Sequence, residues 1–183
     1  MKKFKNFITV AIDSPAAAGA GTQAKLIAKE YNLFYLDTGK IYRYIGLLKL
    51  NHPKRFTYKL IRNKIKKLKI EELRKKNLLS DKVATSASII AKDKKIRKIV
   101  HIFQKKCAYY PPKKFSGSVL DGRDIITVQL KDAMFKFFIT ASLRIRAKRR
   151  FIEYKSLNKK ITYKEVLKSL RNRDESDRKR KHS

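Results

Sequence analysis

A single cysteine, Cys107, rules out an internal disulfide, and its helical spacing with apolar neighbours reads as packing. The three histidines, His52, His101 and His182, are scattered, so they offer no metal-ligand cluster. No run approaches the roughly 18 apolar residues that a membrane span needs. The N-terminal MKKFKNFITVAID has lysines followed by an apolar run, but that run is too short for a secretory signal core and ends in an acid. No internal repeat is present. A soluble, cytoplasmic protein with no membrane partner is expected.

Acidic residues are also scarce. Lysine and arginine number 48 against 15 aspartates and glutamates, giving a net charge of +33. Such a balance would ordinarily suggest nucleic acid or an anionic membrane. Here the cations are spread over every helix-like segment rather than gathered in one arm, and the Lys, Ile, Asn, Phe and Tyr richness fits an A- and T-rich coding bias. Obligate nucleic-acid binding is therefore not expected. With 183 residues, 43% of them apolar, the chain has enough material for one domain with a sizeable core.

What is present begins at Phe7. The stretch FITVAIDSPAAAGAGT runs from a strand-like apolar segment, through Asp13, into a loop of small residues and then a helical pattern. Ser14, Pro15, Ala16, Ala17, Ala18, Gly19, Ala20, Gly21 and Thr22 stand where a phosphate-binding loop would stand. Small side chains let phosphate oxygens reach the backbone N–H groups, and the helix N-terminus adds partial positive charge. Thr22 supplies a hydroxyl suited to magnesium; Ala20 occupies the place of the loop's lysine, with Lys25 and Lys40 as replacements to consider. Taken alone, the stretch is equally an Ala/Gly-rich strand-to-helix turn.

Periodicity places the other elements. Ala24, Ile27, Ala28 and Tyr31 repeat at helical spacing, and a short strand at 34–36 leads to Asp37 and Thr38 as cap candidates. Ile41, Tyr44, Ile45 and Leu48 continue on a helix whose opposite face carries Tyr42 and Arg43. Tyr58, Ile61, Ile65 and Leu68 mark a lysine-laden amphipathic helix, with a further turn at 70–74. Ser80 or Asp81 caps a helix through Ala91, and Ile96, Ile99, Val100, Phe103 and Cys107 define the next. Strands at 118–120 and 135–139 precede a helix capped by Thr140 or Ser142. Leu143, Ala147, Phe151 and Tyr154 form its apolar stripe, and Val166, Leu167 and Leu170 that of the last helix. Alternating strands and helices imply an α/β fold with a parallel sheet and ligands at the C-terminal strand ends.

Three further motifs accompany the loop: LDTGKIYR at 36–43, LDGRD at 120–124 and RNRDESDRKRK at 171–181. In isolation the second is a tight turn closed by an ion pair and the third a solvated helix end. In this order and spacing, with SPAAAGAGT resembling G-P-A-x-x-G-K-G-T, they resemble bacterial cytidylate kinases from about Phe7 to Ser183. The resemblance implies a P-loop kinase fold in one domain, with a core at about 1–36, 92–141 and 162–183. It further implies a helical monophosphate-binding lobe at about 37–91 and a short lid at about 142–161. The family's small inserted sheet has no counterpart in the helical pattern of the lobe.

The activity implied is transfer of the terminal phosphate of ATP to CMP or dCMP, with magnesium as cofactor, by a monomer. Thr38, Tyr42, Arg43, Ser88, Lys105, Asp121, Arg123, Asp124, Arg173 and Asp177 are implied to hold the monophosphate, Lys105 standing where the family has an arginine. Within that set Asp177 takes the ribose hydroxyls. Arg123, Arg173, Arg180 and Arg149 are implied to act on the phosphates, with Arg146 and Arg150 as further lid cations. Cytidylate kinases continue past the position of Ser183 with an edge strand and a helix that help hold adenine. Two other functions remain open: a kinase-like protein that binds nucleotide or RNA with little turnover, and a kinase for another monophosphate.

Overall fold

The computed structural model describes residues 7–179. In chain order the elements are β1 (Ile8–Asp13), α1 (Ala20–Glu30), β2 (Leu33–Asp37), α2 (Thr38–Asn51), α3 (Tyr58–Lys66), α4 (Asp81–Ile90), α5 (Lys94–Tyr109), β3 (Gly117–Gly122), β4 (Phe135–Phe138), α6 (Leu143–Ser156) and α7 (Tyr163–Arg178). The class is α/β, as the sequence pattern implies. By contacts the chain forms two compact units, Met1–Tyr35 with Lys113–Ser183, and Leu36–Pro112.

The first unit is built on a sheet of order β2-β3-β1-β4. β1 pairs in parallel with both β3 and β4, and Asp13 is level with Gly122 on one side and Phe138 on the other. The loops that follow these strands therefore leave from one edge, where ligands of parallel sheets bind. Val10, Ala11 and Ile12 are buried, which explains why β1 reads as a continuous apolar run. Gly117 is required by contact: a Cβ there would lie 2.0 Å from the Ile8 carbonyl oxygen.

α1 packs on this sheet through Ala20, Ala24 and Ala28, in a cluster with Val10, Ile12, Leu33 and Val119. Its small side chains bring the helix axis near the strands. A second cluster joins Ala16 to Ala147 of α6 and to Val166 and Leu170 of α7, with Phe151, Tyr154 and Ile161 packed against it. Ser142 caps α6, and Thr162 with Glu165 forms a reciprocal capping box on α7.

The second unit is helical. Ile41, Ile45, Ile61, Ile65, Leu78, Val83, Ile96 and Val100 supply its buried side chains. Thr57 caps α3, Ser80 caps α4, and Asp93 caps α5 by accepting from the Lys95 and Ile96 amides. Short 3-10 turns at Pro53–Arg55, Ile70–Arg74 and Lys76–Leu79 link the helices. α5 falls within this unit.

Candidate active site

The loop between β1 and α1 is shaped as an anion cradle. Gly19 adopts φ +98° and Ala17 φ +61°, both left-handed. The Ser14 amide donates to the Gly122 carbonyl at 3.1 Å, and the Ala18 amide to the Pro15 carbonyl at 3.3 Å. The Gly19 carbonyl accepts from the Thr22 and Gln23 amides, starting α1. Gly19, the N-cap, has no side chain to offer, and no acid stands in the first turn. The helix therefore presents its N-terminal amides and partial charge to the loop. Ala16, Ala18 and Ala20 are buried, while Thr22 is exposed.

Asp13 fixes the other side of the loop. Its carboxylate accepts from the Ile125 amide at 2.7 Å and the Ile126 amide at 3.0 Å, and the side chain is 4% exposed. Burial pushes its pKa above the ordinary carboxylate value, against the opposing effect of these two amides. These bonds join the end of β1 to the π-helical turn Ile125–Gln129, whose last residue donates to Asp124, just before the turn, at 2.9 Å. Asp13 had no assigned role in the sequence. An acid ending a buried apolar run was the available signal.

Arg123 and Asp177 form an ion pair, joining the turn after β3 to α7. Asp121 lies beside the loop: its Oδ2 is 3.4 Å from where a Cβ on Gly21 would sit, and the Tyr35 hydroxyl is 3.5 Å from the same point. Gly21 thus leaves room for a carboxylate next to the first turn of α1. Arg173 is exposed on α7. Arg180 lies outside the described residues.

The arginines of α6 divide into different roles. Arg146 is 5% exposed and is held by the Ala141 and Ala16 carbonyls and by both oxygens of Asp174. It is a clasp joining α6, the loop and α7 rather than an open lid cation. Arg149, one turn on, donates from Nη1 to the Ala18 carbonyl at 2.9 Å and stays exposed. Arg150 pairs with Glu153 on its own helix.

The remaining sequence-assigned residues belong to the second unit. Thr38 is buried at the start of α2, and Tyr42 and Arg43 are half-buried, the latter donating to the Leu78 carbonyl at 2.9 Å. Ser88 is exposed and bonds to the Thr85 carbonyl, while Ser86 is buried and donates to the Gly46 carbonyl. Lys105 is exposed. Its neighbour Gln104 is fully buried, and neither amide atom has a hydrogen-bond partner among the described residues. Burial raises the pKa of the Cys107 thiol to about 11, so it is protonated and inert at neutral pH.

A family profile described as "Cytidylate kinase" matches residues 10–183, which include the phosphate loop, the DGRD turn and the α7 arginines. The chain belongs to the cytidylate kinase family. Curated relatives agree: the cytidylate kinase of Bartonella tribocorum is 41% identical over 181 residues, covering 95% of this chain and 80% of that protein. Those of Clostridium tetani and Paramagnetospirillum magneticum are 38% and 40% identical, covering 96% and 92% of this chain and 80% of each relative. As a cytidylate kinase family member, the chain departs from the P-loop pattern at Ala20.

Among the described residues no group of three His, Cys, Asp or Glu side chains could hold a metal ion, and no helix is long and apolar enough to cross a membrane.

Proposed function

We propose that the chain transfers the terminal phosphate of ATP to CMP or dCMP, giving CDP or dCDP. The observation that carries this reading is the bare N-terminus of α1 at a small-residue loop, with the Arg123–Asp177 pair and Arg149 in the same unit. An oxygen of the CMP phosphate bonds to the terminal phosphorus of ATP. The bond from that phosphorus to the bridging oxygen breaks, and ADP leaves with the electron pair.

A phosphate oxygen is already ionised, so no general base is needed. The protein's task is to bring two polyanions together and stabilise the charge between them. The loop amides hold the donor phosphates. Arg123, Arg173, Arg180 and Arg149 act on the acceptor and transferred phosphates, and arginine suits this because its fork binds phosphate bidentately. Thr38, Tyr42, Arg43, Ser88 and Lys105 recognise the cytidine monophosphate. Asp121 and Asp177 bind sugar hydroxyls, and Asp124 orders the DGRD turn.

Magnesium fits the donor set. The exposed Thr22 hydroxyl is a hard oxygen donor at the first turn of α1, too little to cage an ion but suited to one carried mainly by substrate phosphates. When bound, it supplies charge neutralisation on those phosphates. The enzyme works as a cytoplasmic monomer on free nucleotides, without a nucleic-acid or membrane partner. Residues 142–161 form its lid.

Ala20 favours one other reading, a kinase-like protein that binds nucleotide without turnover. The test is a coupled ADP-release assay with ATP, magnesium and each nucleoside monophosphate. Turnover selective for CMP or dCMP supports the kinase. CMP binding by calorimetry with no turnover supports the binding protein. In the active chain, Asp177→Ala should lower kcat/KM more for CMP than for dCMP; equal losses would remove Asp177 from ribose recognition.

A further inference from the structure

We propose that the Arg149 guanidinium supplies, from α6, the phosphate-binding charge that a lysine supplies from within other loops of this kind. The inference rests on the kinase reading and concerns how that site operates in this chain.

A P-loop lysine places a mobile cation on the terminal phosphates. Ala20 ends at its Cβ and is 4% exposed within the apolar cluster of β1 and α1, so the alanine itself brings no charge to a phosphate. The structure brings a different cation to the adjoining peptide. Arg149 donates to the Ala18 carbonyl at 2.9 Å, and its Nη1 would lie 3.4 Å from a Cβ on Gly19. A guanidinium has five N–H donors, so a single carbonyl contact leaves most of the fork for an arriving polyanion. The side chain is exposed, and no carboxylate pairs with it among the described residues.

The neighbouring arginine on the same helix is already engaged. Arg146 lies closer to the interior, but its charge is met by Asp174. What Arg146 contributes is registration: it donates to the Ala16 carbonyl at 3.2 Å, fixing α6 against the loop. Residues three apart share a helix face, so the same contact aims Arg149 at Ala18. Among the described residues neither Lys25 nor Lys40 bonds to the loop backbone through its side chain, whereas Arg149 does. The charge in this kinase thus depends on a helix outside the loop.

The test is a cycle of Arg149→Ala, Ala20→Lys and the double variant, each checked for folding by thermal melting and assayed with ATP, magnesium and CMP. Arg149→Ala should lower kcat by about 100- to 1,000-fold, the usual loss for a charge preorganised on a transferring group. Ala20→Lys should recover much of that loss in the Arg149→Ala background. Added guanidinium, below unfolding concentrations, should rescue Arg149→Ala and serves if Ala20→Lys does not fold.

Calorimetry supplies an arm independent of turnover: Arg149→Ala should weaken ATP binding and leave AMP binding nearly unchanged. A folded Arg149→Ala protein with wild-type turnover and ATP affinity overturns the proposal. So does a loss that neither rescue repairs, which would mark a merely structural role. Failure of the wild-type chain to phosphorylate CMP sinks the kinase reading instead, and the ATP comparison then decides Arg149 alone.

Discussion

Arg146 grips both carboxylate oxygens of Asp174, at 3.1 and 2.6 Å, across the gap between α6 and α7. The two side chains are only 6% and 17% exposed, so removing one partner strands a charge in a place poorly reached by water. Asp174→Ala should cost about 3 kcal/mol, the lower end for breaking a buried pair. Urea unfolding would measure it. A change below about 0.5 kcal/mol, the range of ordinary surface substitutions, would mean the pair is effectively solvated.

Ala17 occupies left-handed backbone at φ +61°, where a side chain is disfavoured. Ala17→Gly should therefore stabilise the chain by about 0.5–1 kcal/mol even after glycine's greater entropy in the unfolded state. A rise in melting temperature with ATP binding retained is the expected result. A fall would mean that the Ala17 methyl makes a contact worth more than the strain.

α2 and α4 meet at a glycine. A Cβ on Gly46 would lie 2.9 Å from the Ala87 nitrogen and 3.0 Å from the Val83 carbonyl oxygen, both backbone atoms. Gly46→Ala must separate the helices, at about 1–3 kcal/mol, the usual cost of overpacking. Gly46→Ser should be worse still. Unfolding followed by circular dichroism would report both losses, and wild-type stability in either would refute the close approach.

Asp93 gives the second unit a pH dependence. Burial raises its pKa, but the Ile96 amide, the Tyr58 hydroxyl, the Lys95 amide and the Lys95 charge together bring it below the ordinary 3.8. A depressed carboxyl pKa stabilises the fold above its unfolded value, and the contribution disappears as pH falls through the folded value. Asp93→Asn keeps a capping oxygen and should reduce the acid sensitivity of unfolding, while Asp93→Ala should cost about 1 kcal/mol at neutral pH. Identical acid sensitivity in wild type and Asp93→Asn would exclude Asp93 as a contributor.

The sequence discloses whatever is local. The apolar run of β1, the alanine spacing of α1 and the stripe of Leu143, Ala147, Phe151 and Tyr154 all follow from periodicity, and each is an element of the fold. The small-residue loop is legible because its function demands small side chains. What escapes are relationships across distance. Nothing around Arg146 indicates burial, because its partner Asp174 lies on another helix. Asp13 looks like a strand terminus until the Ile125 and Ile126 amides are brought to it. Ser86 and Ser88 are indistinguishable by motif, and only the packing of α4 against α2 sends one inward and leaves the other in solvent.

β4 sits at the border of the sheet, bonded to β1 along one side, with Phe135, Phe137 and Phe138 at 47%, 46% and 67% exposure. Among the described residues nothing pairs with its other side, and such a strand with aromatic side chains is a template on which another chain can add. Two molecules each carrying +33 repel at low ionic strength, and salt shortens the range of that repulsion. The same charge that invites a nucleic-acid reading therefore acts as a colloidal guard over this border. Purified protein should stay dispersed in dilute buffer and cluster as salt is raised, with Phe138→Lys delaying the onset in light scattering.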